Sequence, residues 1–196
     1  MLTYPAQPTW RTNLRISLAH KNAKVPTYGS AGAACFDLYA ADFLETKEPL
    51  KLLNSGTTAE FTDSIIVDTG LIVEVPPGYG LFLFSRSSQA KDDVSLANAV
   101  GIVDPDYRGP VKLVLRRSAR YGFIVDGIME SIGYPQAHQG VLDAVERTFV
   151  SAKVSVGDRV AQACLLPVPR VDFEVVGANQ LTTTERADGG FGSTGK

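Results

Sequence analysis

The feature that most constrains this chain is a repeated alternation of apolar and polar residues over short stretches that end at turn residues. Residues 14–18 read LRISL, and residues 71–75 read LIVEV directly before the turn Pro76-Pro77-Gly78. A period of two places every second side chain on the same face of a strand. Further stretches are short, apolar and rich in β-forming residues: 81–84, 111–115, 159–166 and 171–176. Because almost no helical periodicity accompanies them, the pattern predicts an all-β sandwich or jelly roll.

Two longer stretches interrupt this rhythm. Residues 42–62 are polar and loop-like, and residues 116–150 open with RRSAR and pass through IGYPQAHQG. The second stretch ends with apolar residues near helical spacing, which predicts one short helix there: Val141, Leu142, Val145 and Phe149. A chain of 196 residues that is 44% hydrophobic fits one domain with a proper core. We therefore interpret residues 1–196 as a single domain that carries two insertions.

Charge and hydropathy exclude some classes of protein. The net charge is −2 and no run is rich in lysine and arginine, which does not support binding to DNA or RNA. The N-terminus lacks the apolar region of a signal peptide, and no apolar run is long enough to cross a bilayer. We expect a soluble cytoplasmic protein, or one of a host cytoplasm if the source is viral, with no nucleic-acid or membrane partner. Cys35 and Cys164 are too few for a disulfide framework and are interpreted as reduced packing residues.

The last residues of the sequence are rich in glycine. Residues 190–196 read GFGSTGK, which has the G-x-x-x-x-G-K spacing of a phosphate-binding loop. Such a loop depends on a strand before it and on a helix with a Ser or Thr metal ligand after its lysine. Because the sequence shows no such helix, a glycine-rich tail is the better interpretation of these residues by themselves.

Residues 85–91, SRSSQAK, indicate a short helical turn. A serine directly before such a turn can cap it, and the free backbone N–H groups beside Arg86 would then form an anion site. An ordinary capped turn with a surface arginine explains the same residues, and taken alone it is the preferred explanation.

Residues 98–109, NAVGIVDPDYRG, combine strand and turn signals. Residues 100–103 resemble a strand that enters a tight turn, and residues 111–115 return from it. This predicts a β-hairpin with Asn98, Asp104 and Tyr107 near its mouth. An aspartate at a strand end can orient or deprotonate water, and a tyrosine can pack on a flat sugar or base. Turn chemistry alone also accounts for Asp and Pro here.

Other polar residues lie in apolar surroundings. Asp37 in GAACFDLYA needs a partner, which a backbone turn, an arginine or a metal ion reached through water could supply. Arg159 and Gln162 of GDRVAQ are explained by structural hydrogen bonds. His20 and His138 show neither metal-ligand spacing nor the setting of a Ser–His–Asp triad.

Taken in order, these segments closely resemble the five motifs of the trimeric deoxyuridine triphosphate nucleotidohydrolases, the dUTPases. The motifs are GAACFDLYA, RSSQA, NAVGIVDPDYRG, GDRVAQ and the segment from Arg186 through GGFGSTG, and they span residues 31–195. The resemblance implies a β jelly roll or distorted β-barrel, a homotrimer with shared active sites, and dUTP as substrate. It also implies that a glycine-rich arm, residues 183–196, crosses to a neighbouring subunit and closes over the nucleotide.

The resemblance assigns three residues to the nucleoside and the attacking water. Asp104 matches the aspartate that positions the water and contacts the deoxyribose 3′-hydroxyl. Tyr107 matches the tyrosine that packs under the sugar and leaves no room for a ribose 2′-hydroxyl. Asn98 and the backbone up to Gly101 would read the uracil edge. The implied reaction is in-line attack of water on the α-phosphorus, which gives dUMP and pyrophosphate.

The remaining matched residues concern the phosphates, the base and a metal ion. The resemblance implies that Asp37 holds Mg²⁺ through its water shell, that Arg186 reaches the γ-phosphate and that Phe191 stacks over uracil. The other residues implied to contact the nucleotide are Arg86, Ser87, Ser88 and Gln162 from the body of the chain, and Gly192, Ser193 and Thr194 from the arm.

The chain departs from the family pattern without losing a named functional group. Cys35 stands where the family usually has glycine, RSSQA replaces the commoner RSGLA, and Asp188 adds negative charge near the arm. The length of residues 116–150 resembles insertions of some phage dUTPases, so a dUTP-responsive regulatory protein with a partner on that insertion is one alternative. A dCTP deaminase, which shares the fold, is disfavoured because residues 111–115 include no catalytic glutamate.

Overall fold

The computed structural model describes residues 11–44, 51–117 and 152–189, and most of their regular structure is β-strand. The strands are β1 (Arg15–Leu18), β2 (Thr27–Tyr28), β3 (Phe36–Tyr39), β4 (Asp42–Leu44), β5 (Lys51–Leu53), β6 (Thr58–Phe61), β7 (Ser64–Glu74), β8 (Tyr79–Phe84), β9 (Val94–Leu96), β10 (Val100–Val103), β11 (Pro110–Arg117), β12 (Ala152–Ser155) and β13 (Arg159–Pro167). The helical segments of these residues are short 3₁₀ turns: Asn54–Gly56, Ser87–Asp92 and Ala178–Gln180. The all-β prediction is confirmed.

The strands form three antiparallel sheets. The first has the order β1-β7-β11-β9, and β4 also pairs with β7. The second has the order β10-β8-β13-β3-β2, and the third has the order β12-β6-β5. Strands that are distant in sequence lie side by side, as β3 and β13 do, which is typical of a jelly roll. Within the described residues, none of the three sheets closes into a barrel.

One hydrophobic core lies between the sheets. Along β7, buried and partly exposed side chains alternate, and Ile65 and Val67 are fully buried. Leu38 of β3, Leu81 of β8 and Leu115 of β11 enter the same core. Burying a side chain of this size stabilises the fold by roughly 1.5–3 kcal/mol. The core therefore fixes the strands whose ends and outer faces carry the candidate site residues.

Five predicted strands are confirmed. β1, β8, β11 and β13 end within two residues of the predictions, while residues 71–75 belong mostly to the longer β7. The sequence DTG, residues 68–70, concealed this continuation because it interrupts the apolar alternation. Gly70 has a φ of +66°, and a Cβ there would lie 2.7 Å from the Cβ of His20. Glycine is therefore required where β7 passes this side chain.

The strand predicted at residues 171–176 is wrong for the isolated chain. These residues belong to no strand or ladder of the described chain. Val171, Phe173 and Val175 expose 65%, 92% and 98% of their surface. The apolar alternation that suggested a strand is present, but no described strand of the same chain lies beside it to complete a ladder.

The loop-like interpretation of residues 42–62 is also wrong. This stretch contains β4, β5 and β6, and β6 pairs with both β5 and β12. Asn54, Ser55 and Gly56 have positive φ angles and form a tight turn between β5 and β6. Ala59 and Phe61 of β6 are buried in the core. Strands of three and four residues around a polar turn are too short to show a clear alternation.

Several predictions lie outside the described residues. They concern the helix near residues 141–149, almost all of the 116–150 insertion, and Phe191, Gly192, Ser193 and Thr194 of the arm. The assignment of residues 1–196 to one domain stays a prediction. In residues 11–44, 51–117 and 152–189, no helix has the length and apolar character needed to span a membrane.

Candidate active site

Asp37 is the centre of a cluster of ion pairs on the second sheet. It lies on β3, is only 8% exposed, and receives two guanidinium groups. Arg86 Nε lies 2.8 Å from Asp37 Oδ1, and Arg159 Nη1 lies 3.3 Å from Asp37 Oδ2. We call these three residues the arginine cluster. Of the partners that the sequence left open for Asp37, the structure shows arginine.

The loop that carries Arg86 is attached to the sheet by a residue that sequence reasoning did not select. The Arg86 N–H donates to Gln89 Oε1 at 2.7 Å, and Gln89 Nε2 donates to the Val160 carbonyl at 2.9 Å. Arg86 Nη1 also donates to Ser88 Oγ at 3.0 Å. Gln89 therefore connects the 3₁₀ turn to β13 and holds Arg86 over Asp37.

Serine capping of this turn, which the sequence suggested, is not what the structure shows. Arg86 precedes the turn, and the side-chain cap comes from Gln89. Ser85 instead accepts a hydrogen bond from the Leu96 N–H at 2.8 Å through its Oγ. Its carbonyl accepts from Gln162 Nε2 at 2.9 Å, so Gln162 also holds this loop. Ser87 is the first residue of the turn and is exposed.

The arginine cluster carries more positive than negative charge. One carboxylate faces two guanidinium groups, and the Arg159 side chain is 51% exposed. Arg86, Arg159, Ser88 and Gln89 line a cavity of about 890 Å³. Partly exposed guanidinium groups beside a serine hydroxyl are well suited to binding phosphate oxygens. This half of the candidate site can hold an anion.

The second half surrounds residues 98–109, where the predicted β-hairpin is wrong. β10 pairs with β8 in the second sheet, whereas β11 pairs with β7 and β9 in the first. Both strands bury one face, and these faces meet the core from different sheets. Residues 104–109 therefore cross between sheets. We call them the inter-sheet turn.

The inter-sheet turn still brings the predicted residues together. Asn98, Gly101, Asp104 and Tyr107 all line one cavity of about 450 Å³. Asn98 and Asp104 are exposed, so their polar groups are accessible. The Tyr107 hydroxyl donates to the Pro110 carbonyl at 3.1 Å, which fixes the ring at the cavity.

Two backbone features shape this cavity. Ala99 has a φ of +59°, and the Val100 N–H donates to the Asn98 carbonyl at 2.6 Å, which makes a very tight turn before β10. At Gly109, a Cβ would overlap the hydroxyl and ring of Tyr107. The backbone, rather than contacts between side chains, therefore sets the positions of these groups.

Among the residues that the structure describes, the two cavities have no lining residue in common. Arg186 lines neither of them; its Nε donates to the Gly189 carbonyl of its own exposed turn at 2.8 Å. In the described part of one chain, the predicted site residues thus form three separate groups. They are the arginine cluster with its loop, the cavity of the inter-sheet turn, and the arm.

The described residues fit a directly bound metal ion poorly. No group of three His, Cys, Asp or Glu side chains in residues 11–44, 51–117 and 152–189 is arranged to hold one. Both oxygens of Asp37 already face a guanidinium group, and those charges oppose a nearby cation. The role of Asp37 as a water-mediated Mg²⁺ ligand stays a prediction, and its ion pairs argue against it.

Comparison with known proteins identifies the family. A dUTPase family model matches residues 21–127. The chain is 32% identical to the deoxyuridine 5′-triphosphate nucleotidohydrolase of Yarrowia lipolytica, over 93% of this chain and 89% of that protein. This chain belongs to the dUTPase family. A dUTPase of the same description from Hydrogenobaculum sp. is 30% identical and covers 93% of this chain and 97% of its own length.

Solved dUTPase structures share the fold. The dUTPase of Staphylococcus bacteriophage 80alpha with dUpNHpp matches with a TM-score of 0.66 and 18% identity, over 95% of this chain and 100% of that chain. A mutant dUTPase from phage phi11 of S. aureus, described with a structural Mg(II) ion, matches with a TM-score of 0.57 and 17% identity, over 87% and 100%. The jelly-roll prediction is confirmed by these matches.

Proposed function

We propose that the chain hydrolyses dUTP to dUMP and pyrophosphate by attack of water on the α-phosphorus. Family membership supports this activity. The observation that carries the mechanism is the grouping of Asn98, Gly101, Asp104 and Tyr107 around one cavity. A cavity of about 450 Å³ with few, convergent polar groups is typical of a small-molecule site.

The base is read by the tight turn that precedes β10. Asn98 offers both an amide donor and an amide acceptor, which suits the mixed donors and acceptors of a uracil edge. Gly101 has no side chain, so backbone groups can come close to the base. A base with the wrong pattern would leave a polar group unpaired, at a cost of about 1–3 kcal/mol.

Asp104 positions and activates the water. Its carboxylate is exposed at the end of β10 and lines the same cavity as Asn98. A carboxylate accepts the proton of an attacking water, which is general base catalysis. Tyr107 lies under the sugar, where its ring excludes a 2′-hydroxyl.

The arginine cluster holds the phosphate chain. Arg86, Ser87 and Ser88 contact phosphate oxygens, and Gln162 maintains the loop beside them. Arginine groups that are already positioned stabilise the charge that develops in the transition state, because they need little reorganisation during the reaction. No step is assigned to Mg²⁺, because both carboxylate oxygens of Asp37 form ion pairs with arginines.

A homotrimer assembles the complete site. Two observations on the described residues support it: the two cavities share no lining residue there, and residues 171–176 pair with no described strand of their own chain. A neighbouring copy would cover this segment and bring its own cavity to the arginine cluster. The arm would add Arg186, Phe191, Gly192, Ser193 and Thr194 from a further copy.

The assembly is tested with Phe173→Ser, which removes the exposed aromatic side chain of residues 171–176. We expect light scattering to show a trimer for the wild type and a shift towards monomer for the variant. Val25→Ser, at an apolar residue that is also exposed but outside the segment, should stay trimeric. A wild-type monomer with full activity contradicts the proposal.

The activity is tested by pyrophosphate release from dUTP, dTTP, dCTP and UTP. Asp104→Asn is compared with Asp106→Asn, because both aspartates are exposed and only the first lines the cavity. We expect release from dUTP alone, nearly lost in the first variant and retained in the second. Ammonia release from dCTP would instead indicate a deaminase.

A regulatory role through residues 116–150 stays a prediction, as does the cytoplasmic location. One of the solved structures that share the fold is a phage dUTPase, described as controlling the transfer of virulence genes. This likeness is the observation behind the second function. Deletion of residues 118–150 should spare dUTP hydrolysis and abolish binding to a protein partner. Loss of hydrolysis as well would show that the insertion supports the fold.

A further inference from the structure

The register of β3 and β13 brings Cys35, directly before β3, opposite Cys164 of β13. The antiparallel register of β3 and β13 pairs Asp37 with Gln162 and Phe36 with Ala163. One further step along the same ladder pairs residue 35 with residue 164. The sequence alone predicts two reduced packing residues, because only the register shows that they meet.

The type of pair suits a covalent link. The backbone N–H and C=O groups of Ala40 both bond to the segment before β13, through Asp158 and Gly157. The register shifts between Arg159 and Ala161, but the extra residue lies on β13, so alternation along β3 gives Leu38 and Phe36 the hydrogen-bonded positions and Cys35 a non-hydrogen-bonded one. Opposed Cα atoms at such positions are about 4.5 Å apart, which is within the range of disulfides.

The two thiols are free, partly exposed and in contact. Neither cysteine is fully buried. The pKa of the Cys164 thiol is raised by burial first and then by the charge and hydrogen bond of Cys35. Formation of the Cys164 thiolate is therefore disfavoured relative to an ordinary cysteine thiol.

We propose that Cys35 and Cys164 form a dithiol site that is oxidised reversibly to an intrachain disulfide by a small-molecule disulfide such as glutathione disulfide. The Cys35 thiolate attacks one sulfur of glutathione disulfide, and one glutathione leaves as a thiolate. The Cys164 thiol then loses its proton and attacks the Cys35 sulfur, which releases the second glutathione. Two protein thiols are oxidised, one glutathione disulfide is reduced to two glutathione molecules, and the protons pass to the departing thiolates.

The position of the site links it to the rest of the molecule. Cys35 directly precedes β3 and is two residues from Asp37, and Cys164 and Gln162 are likewise two residues apart on β13. A disulfide would fix the spacing of the two strands one step away from the arginine cluster. It would also join residues that are distant in sequence, which restricts the unfolded chain.

The test uses the full-length protein in glutathione buffers that range from reducing to oxidising. Free thiols are counted by alkylation and mass spectrometry, and the products are separated on a non-reducing gel. We expect both thiols to disappear together, with no added glutathione mass and no new covalent dimer, and to return after dithiothreitol. The oxidised protein should also unfold at a higher temperature than the reduced protein.

Two variants separate this site from ordinary surface thiols. Cys35→Ser and Cys164→Ser each keep one cysteine, so each should form at most a mixed disulfide with glutathione, which adds mass. If the wild type gains glutathione at both cysteines, forms only interchain disulfides, or keeps two free thiols in the most oxidising buffer, the proposal is wrong. These readouts do not depend on nucleotide hydrolysis.

Discussion

The arginine cluster and the inter-sheet turn hold their functional groups in different ways. In the cluster, Asp37 binds both Arg86 and Arg159, and Gln89 connects the loop of Arg86 to β13. In the inter-sheet turn, Asp104 is exposed and is positioned by the backbone around it. The contacts of the first region therefore contribute to stability, whereas the proposed reactive group of the second is not required by the fold.

This difference makes a general expectation for mutations. Changes in the cluster should lower both stability and activity, because each removed group leaves a partner behind in a partly buried place. Changes at the exposed side chains of the turn that line the cavity, Asp104 and Tyr107, should lower activity alone. A large loss of stability at Asp104, or none at Asp37, would remove the distinction.

The largest effect on activity is expected for Asp104→Asn. Loss of a general base lowers a rate by about 10²–10⁴-fold. Because the side chain is exposed, the midpoint of thermal unfolding should stay within about 1 °C of the wild type, as is usual for surface substitutions. Steady-state kinetics and a thermal melt on the same sample measure both quantities. A melt that shifts as far as that of a cluster variant would show that Asp104 also supports the fold.

The largest effect on stability is expected for Asp37→Asn. It removes the negative charge between two guanidinium groups, and breaking a largely buried pair in this way costs about 3 kcal/mol. Urea unfolding measures the change in the free energy of unfolding.

Glu74→Gln is the matched control for this variant. Arg15 and Glu74 are 2.7 Å apart, close to the 2.8 Å of Arg86 and Asp37, but their side chains are 79% and 42% exposed. Glu74 Oε1 also lies 3.9 Å from Arg108 Nη2, so Glu74 too faces two arginines, but all three side chains are exposed. Removing these exposed pairs should cost about 1 kcal/mol or less. Equal costs for the two variants would mean that burial of the cluster contributes nothing.

Gln89→Leu tests how the cluster is held, and Gln180→Leu is its control. Gln180 caps another 3₁₀ turn by accepting from the Gly177 N–H at 2.8 Å, in an exposed segment. At Gln89 the change leaves the Arg86 N–H and the Val160 carbonyl without partners, which costs about 1–3 kcal/mol. We expect Gln89→Leu to raise the KM for dUTP and to lower the midpoint of thermal unfolding. Gln180→Leu should change neither quantity. Gln89→Glu keeps the acceptor for the Arg86 N–H, so its KM for dUTP should lie between those of Gln89→Leu and the wild type.

Much of the fold could be predicted because alternation records which face of a strand is buried, and β8 and β11 show this clearly. The sequence does not show that β10 and β11 belong to different sheets, because a tight turn has the same composition whether the strands on either side of it pair or separate. Residues 171–176 have a strand pattern whose partner is not in the described chain.

The site could be predicted where its residues lie close together in the sequence. Asn98, Asp104 and Tyr107 are close in sequence, and the structure places them around one cavity. Arg86 and Arg159 bond to Asp37 across 49 and 122 residues of sequence, and Gln89 bonds to Val160 across 71. The roles of Gln89 and Arg159 therefore depend on contacts between distant segments. Such contacts leave no periodic signal, and only the family motif GDRVAQ drew attention to Arg159.

The smallest effect is expected for Tyr107→Phe, which removes only the hydroxyl that bonds to the Pro110 carbonyl. Loss of one exposed hydrogen bond costs about 0.5–1 kcal/mol, and the ring stays above Gly109. If the ring excludes the ribose 2′-hydroxyl, the ratio of kcat/KM for dUTP over UTP should remain close to that of the wild type. In Tyr107→Ala the ring is gone, so the same ratio should fall strongly while the midpoint of unfolding changes little, because the side chain is 45% exposed. A ratio that falls equally in both variants would assign the discrimination to the hydroxyl and its hydrogen bond, and the turn would then resemble the arginine cluster in depending on a side-chain contact.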